Sequence, residues 1–199
     1  SQGSPFYTMF KGDVEVELMN IMMYDASTIG NHEFDFGLDN MARIFKKASF
    51  PIVCSNYDVK GTVLSDCVKP YIIIRRGGLK IGIIGLSPQL EGLVFAANYK
   101  GITYNDPGVV ALQMATFLKE KKKCNMVICL SHLGWNIGGK DDQYMISHSR
   151  NIDLVLGGHS HSYLKKLEYV KNIDGKPVPV DQNGKNAVFV GKLTIDYSK

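Results

Sequence analysis

Long apolar runs are missing from this sequence of 199 residues. None approaches the ~18 consecutive apolar residues that a bilayer-spanning helix needs, so nothing in the chain is expected to span a membrane. Cysteine is scarce, with four residues and no C-x-x-C pair among them. Cys54, Cys124 and Cys129 lie in or beside apolar runs (PIVCSN, KKCNMVICLSH), where a buried free thiol is the plain expectation, and the spacing calls for no disulfide. A strong charge of one sign is also missing: 23 basic against 19 acidic residues leave a net charge of +4. The longest basic run, Lys119 to Lys123 around Glu120, reads as the last turn of a helix, where lysines suit the negative end of the helix dipole. With neither a basic stripe nor a reading motif, nucleic acid is not an expected partner. No signal peptide opens the chain, and no repeat, linker or low-complexity segment divides it.

What is present is an ordinary globular composition, 45% hydrophobic and 21% charged, long enough for one domain with a sizeable core over residues 1–199. Strand and helix patterns alternate, which argues an α/β architecture. SQGSPFYTMFKG reads as a loop entering a helix that runs through VEVELMNIMM to about Tyr24. A short strand over 25–29 leads to the polar loop GNHEFDFG, then a helix over 38–48 and a buried strand over 51–54. Tyr71 to Arg76 and Leu79 to Leu86 flank Gly77-Gly78 as a hairpin. Asp106-Pro107 starts a helix running to about Lys122, with proline where its missing N–H costs nothing. Buried strands follow over 126–130 and 152–156, with a helix over 141–149 between them. Leu164 to Tyr197 reads as antiparallel strands with turns at Asp174-Gly175 and Asn183-Gly184.

Five histidines occur, and four of them (His32, His132, His159 and His161) fall just past the ends of predicted buried strands, the edge where open α/β sheets form ligand sites. A lone histidine after a strand is usually a satisfied loop residue. Four together, each flanked by glycine, serine or asparagine, point instead to a metal site for Zn, Mn, Fe or a similar ion. His159-Ser160-His161 is the strongest pair, since two imidazoles two residues apart on a glycine-rich turn can face one ion. His148, inside a predicted helix without a partner, is expected on the surface or in packing.

Those residues also carry a resemblance. Gly30-Asn31-His32-Glu33-Phe34-Asp35 resembles the GNHEFD motif of the 5′-nucleotidase family of calcineurin-like metallophosphoesterases. Ser131-His132-Leu133-Gly134 and Gly157-Gly158-His159-Ser160-His161 resemble its two later histidine motifs, in the same order. The resemblance implies a four-layer α/β/β/α metallophosphoesterase sandwich. It implies Asn31, His132 and His159 as ligands of one metal and His161 as a ligand of the other. His32 resembles the catalytic histidine that steadies or protonates the departing oxygen, and Asp35 the acid that orients it. Glu33 is expected to be structural. Phe34 and Phe36 are expected to pack the loop, and Trp135 is open between packing and lining the cleft.

The same resemblance sets expectations about what lies outside the sequence. The family's first ligands, an Asp-x-His on its opening strand and a bridging Asp, do not occur here, so the sandwich is expected to lack its first strand. Two divalent ions (Zn, Mn or similar) are implied for the complete domain, and at most one weakly held ion for this chain. A C-terminal nucleotide-binding domain is a possible further part of a longer parent. The implied activity is hydrolysis of nucleoside 5′-phosphates or nucleotide sugars, small phosphoester substrates, with this chain impaired or inactive. The alternatives are a non-catalytic module holding a metal or a phosphate, and a phosphodiesterase using the same cradle. The family further implies a periplasmic, cell-surface or secreted location.

Overall fold

The computed structural model describes residues 5–197. The first helices are α1 (Pro5–Phe10) and α2 (Asp13–Ile21). A short strand, β1 (Ser27–Thr28), follows them and leads through a turn of 3-10 helix to α3 (Gly37–Phe45). Met41, Ala42 and Ile44 give α3 its buried face, the helical spacing read from the sequence. Next come β2 (Ile52–Val53), β3 (Tyr57–Asp58) and β4 (Val68–Lys69). β1, β2 and β4 form a parallel three-stranded sheet in the order β1-β2-β4. The expected strands over 25–29 and 51–54 are therefore real but only two residues long, because the parallel ladder joins Ser27–Thr28 to Ile52–Val53 and no further.

The second half supplies the larger sheet. β5 (Tyr71–Arg76) and β6 (Leu79–Leu86) form the expected hairpin, Arg76 opposite Leu79 across the turn. After β7 (Thr103–Tyr104), which pairs with β3, Asp106 caps α4 (Pro107–Thr116). Its carboxylate accepts the N–H groups of Gly108 at 2.9 Å and Val109 at 3.1 Å, satisfying two of the amides that a helix start leaves over. The helix continues as a wider π turn over Phe117–Lys121, so the lysine-rich end lies where the sequence placed it. β8 (Met126–Ser131), α5 (Asp142–Ser147) and β9 (Leu154–Leu156) complete a run of parallel strands. β10 (Glu168–Lys171) and β11 (Pro177–Asp181) close a six-stranded sheet in the order β10-β11-β9-β8-β6-β5.

The antiparallel reading of the last section holds for β10 with β11 and for an isolated bridge between Tyr163 and Asn183. On its other side β11 lies parallel to β9. Val188 and Val190 keep a strand's alternation but are exposed. Among the described residues no strand pairs with them, and an extended segment without a ladder partner is not a strand.

Two buried cores flank the sheets. One joins α4 and α5 to the large sheet through Ala111, Leu118, Met145, Ile84, Val127 and Val155. The other joins α3 to the small sheet through Met41, Ile29, Ile52 and Phe34. The result is a helix–sheet–sheet–helix sandwich, as expected. The sheets meet at Gly85 of β6, where a Cβ would run into the Val53 carbonyl oxygen and the Thr28 hydroxyl. Backbone cannot move aside as a flexible side chain can. Gly85→Ala is therefore expected to lower stability by about 1–3 kcal/mol, the usual range for overpacking, read as a lower urea midpoint; an unchanged midpoint would contradict the close approach. The four cysteines are free thiols, with Cys54, Cys124 and Cys129 buried. Among the described residues no helix is long and apolar enough to cross a membrane.

Candidate active site

Loops from both sheets converge at one edge. After β1 the chain turns through the 3-10 segment Asn31–Phe34. Glu33 closes this turn on itself, its carboxylate accepting the Gly30 N–H at 2.7 Å, which is the structural role expected of it. Phe34 is fully buried and meets Tyr57 edge to face with ring centroids 5.9 Å apart, so it anchors the loop. Phe36 does not share that role; it is exposed and lies against the Tyr7 ring of α1 at 5.4 Å. Gly30 faces His132 so closely that a Cβ would stand 2.7 Å from the imidazole. Only glycine admits the ring there.

His132 directly follows β8, and its N–H donates to the Leu86 carbonyl at 2.8 Å. Its Nε2 lies 3.2 Å from the Asn31 amide oxygen, and its ring centroid is 5.1 Å from that of His159. His159 and His161, past β9, both have left-handed backbone, φ 74° and 58°. Such conformations disfavour residues with a Cβ, by of order 1–3 kcal/mol each, and they concentrate at functional turns. Asn31, His132 and His159 thus meet from three separate loops. His161 is exposed, and among the described residues no hydrogen bond or ring contact joins it to Asn31, His32 or His132. Its charge does bear on His159.

The electrostatics suit cation binding. Burial, reinforced by His159 and His32 and partly opposed by Glu33, brings His132 down to about 4. Burial likewise lowers His159, with His161 and His32 adding to the effect. Both rings are neutral at pH 7, and a neutral imidazole is the form that donates a lone pair to a metal. The convergent donors are two imidazoles and one amide oxygen, a set that fits one ion of the Zn or Mn class. A two-ion cage is not assembled: among the described residues no group of three or more His, Cys, Asp and Glu side chains is close enough to hold a metal ion. The third donor here is Asn31, and His161 stands apart.

Beside these donors stands His32, whose Nδ1 is 3.2 and 3.3 Å from the two oxygens of Asp35. One turn of helix separates the pair, as the sequence spacing implies. The His32 carbonyl accepts the Tyr7 hydroxyl of α1, and the Asp35 carbonyl accepts the Asn98 side-chain amide at 3.1 Å. Tyr7 was not legible as a site residue, since nothing in SPFYTMF marks a tyrosine aimed at a loop 25 residues away. His148 keeps to the surface, its ring stacked on Tyr144 at 4.1 Å and its Nδ1 2.8 Å from the Tyr144 carbonyl. Trp135 is part-buried and packs against the core of the large sheet.

A buried acid behind the site was also missed. Asp142, the first residue of α5, is 0% exposed and accepts the Ser131 hydroxyl, while its second oxygen has no hydrogen-bond partner. Burial, with Asp141 adding and Ser131 opposing, raises it to about 7. In sequence it looked like any acidic residue favouring a helix start. Only the fold places it beside Ser131, next to His132.

Known proteins match this chain over nearly its whole length. The profile of the calcineurin-like phosphoesterase family matches residues 4–163. The human 5′-nucleotidase is 29% identical over 100% of this chain and 36% of its own length. The snake venom 5′-nucleotidase of Gloydius brevicauda is 32% identical over 98% of this chain and 35% of its own length. Among solved structures, the 5′-nucleotidase precursor of Thermus thermophilus superposes with a TM-score of 0.81 at 28% identity, covering 91% of this chain and 37% of that one. The chain thus spans little more than a third of the length of these relatives.

Proposed function

The chain belongs to the calcineurin-like phosphoesterase family, and from that premise we propose that it is the catalytic portion of a metal-dependent phosphoester hydrolase acting on nucleoside 5′-phosphates or nucleotide sugars. The observation that carries this reading is the juxtaposition of neutral donors with a histidine–carboxylate pair. Asn31 and His132 are 3.2 Å apart, and His32 stands 3.2 Å from Asp35 in the same loop. Divalent cations, when bound, neutralise phosphate charge and make water nucleophilic at neutral pH. Asn31, His132 and His159 would hold such an ion, with His161 as a donor toward a second. His32 delivers a proton to, or stabilises, the ester oxygen that leaves opposite the attacking water. Asp35 holds the His32 Nδ1 proton and ring orientation, which leaves Nε2 for that exchange. Substrate class follows the 5′-nucleotidase names of the relatives, and the NAD nucleotidase of Haemophilus influenzae, TM-score 0.79 at 27% identity, extends it to dinucleotides. An extracytoplasmic or secreted location fits a family with venom members.

The family's remaining donors, an Asp-x-His and a bridging Asp, would complete a two-ion site in a longer polypeptide, and a second domain there would supply base recognition. With three donors for one ion and one for the other, the chain by itself holds at most one weakly bound cation. Among the described residues no group of three or more His, Cys, Asp and Glu side chains could hold a metal ion, which is what favours the second reading, a non-catalytic module that binds a metal or a phosphate. Phosphate release from AMP and from a chromogenic phosphomonoester, with Mn(II) or Zn(II), separates them. Activity is expected from a polypeptide extended upstream and little or none from residues 1–199. If both are inert at saturating metal, the hydrolase reading fails and the binding module stands.

A further inference from the structure

The turn Gly158–Ser162 carries two histidines with left-handed backbone, and local preference does not hold such a turn in place. The hold comes from the far end of β11. Gln182, the next residue after that strand, is 1% exposed. Its Oε1 accepts the Ser162 N–H at 2.6 Å and the Ser160 hydroxyl at 2.9 Å, and its Nε2 donates to the Gly158 carbonyl at 2.9 Å. One buried side chain therefore grips the residue before His159, the residue between the histidines and the residue after His161. The Gln182 carbonyl accepts the Leu164 N–H at 2.9 Å, so the chain leaving the turn is held as well. Ser160 passes the restraint on, its Oγ accepting the Trp135 N–H at 2.9 Å and so joining the turn to the loop that carries His132.

We propose that Gln182 is a positioning residue of the metal site, fixing the histidine turn so that His159 meets a divalent cation without first having to be ordered. The proposal rests on the hydrolase reading above. The amide chemistry is specific: the position needs an acceptor for two donors and a donor for one carbonyl, inside a pocket closed to water. Glutamate keeps the acceptor and loses the donation to Gly158. Methionine fills a similar volume and loses all three bonds. Partners that orient a ligand are typically worth 10–100-fold in metal affinity.

The test uses the full-length protein as wild type, Gln182→Met and Gln182→Glu, with three readouts. Hydrogen exchange at the Ser162 amide without metal reports the grip itself, Mn(II) calorimetry reports affinity, and the melting temperature reports fold stability. Gln182→Met is expected to speed Ser162 exchange at least about tenfold and to weaken Mn(II) binding roughly 10–100-fold. Gln182→Glu should fall between it and wild type on both. Should Gln182→Met fail to fold, Gln182→Glu carries the comparison. A lowered melting temperature with unchanged Mn(II) affinity makes the residue merely structural and overturns the proposal, as does unchanged Ser162 exchange. A wild-type protein that binds no Mn(II) and releases no phosphate sinks the hydrolase reading instead, which normal wild-type binding beside an unaffected variant would not.

Discussion

Replacing His32 by alanine is expected to lower kcat for AMP hydrolysis by the complete enzyme about 10²- to 10⁴-fold, the usual contribution of a positioned general acid. KM should change far less, because in the proposed role the imidazole would act on an oxygen that gains charge only as the bond breaks. The prediction has a second edge. An aryl phosphate with an acidic phenol departs without needing a proton, so the same variant should lose much less activity on a p-nitrophenyl ester. Equal losses on both substrates would place His32 in phosphate or metal binding. Asp35→Asn should follow the pattern at smaller magnitude, because the 3.2 Å contact to Nδ1 orients the ring without touching the leaving group.

The second large effect concerns Asp142 and stability. Its carboxyl stands at about 7 in the folded protein against an ordinary value of 3.8, with burial as the leading cause. A raised folded value means that folding favours the neutral acid. The stabilisation relative to the ionised group is whole below pH ~4, where folded and unfolded chains are both protonated, and it is lost as pH rises through about 7. Three or so units correspond to roughly 4 kcal/mol, an upper figure because the pocket can admit water once the group ionises. Asp142→Asn, which keeps the shape and accepts the Ser131 hydroxyl, is expected to flatten this dependence. Urea unfolding at pH 5 and pH 8 reads it directly: wild type should lose up to about 2–3 kcal/mol over that interval and the variant little. Parallel losses in both proteins would show that Asp142 is not the titrating group.

The elements with a local cause were legible. Gly77-Gly78 between two apolar runs fixed the β5–β6 hairpin residue for residue, and Asp106-Pro107 fixed the start of α4. Elements whose length is set by a partner were not. β1 and β2 shrank to two residues because an apolar run cannot say how far its neighbour extends alongside it. Val188 and Val190 alternate as in a strand, yet pattern does not supply something to pair with. At the site, His132 and His159 stood out because they follow strand ends, while Asn31 came only through the GNHEFD resemblance. His161 shares the turn but not the contacts: it is exposed, while His159 is half-buried against His132. Tyr7, Asp142 and Gln182 belong to no motif, and each acts on the site through contacts that only the folded chain creates.

The two cores give the site one more property. Asn31 and His32 hang from the core that holds Ile29 and Phe34, while His132 and His159 hang from the one that holds Leu133 and Val155. An ion gripped from both sides is a bolt between two bodies that could otherwise loosen separately. Its binding energy is then shared by both, adding about 2.7 kcal/mol at a hundredfold excess over Kd. A bound ion would also couple their melting, so that occupancy would set how cooperatively the molecule comes apart.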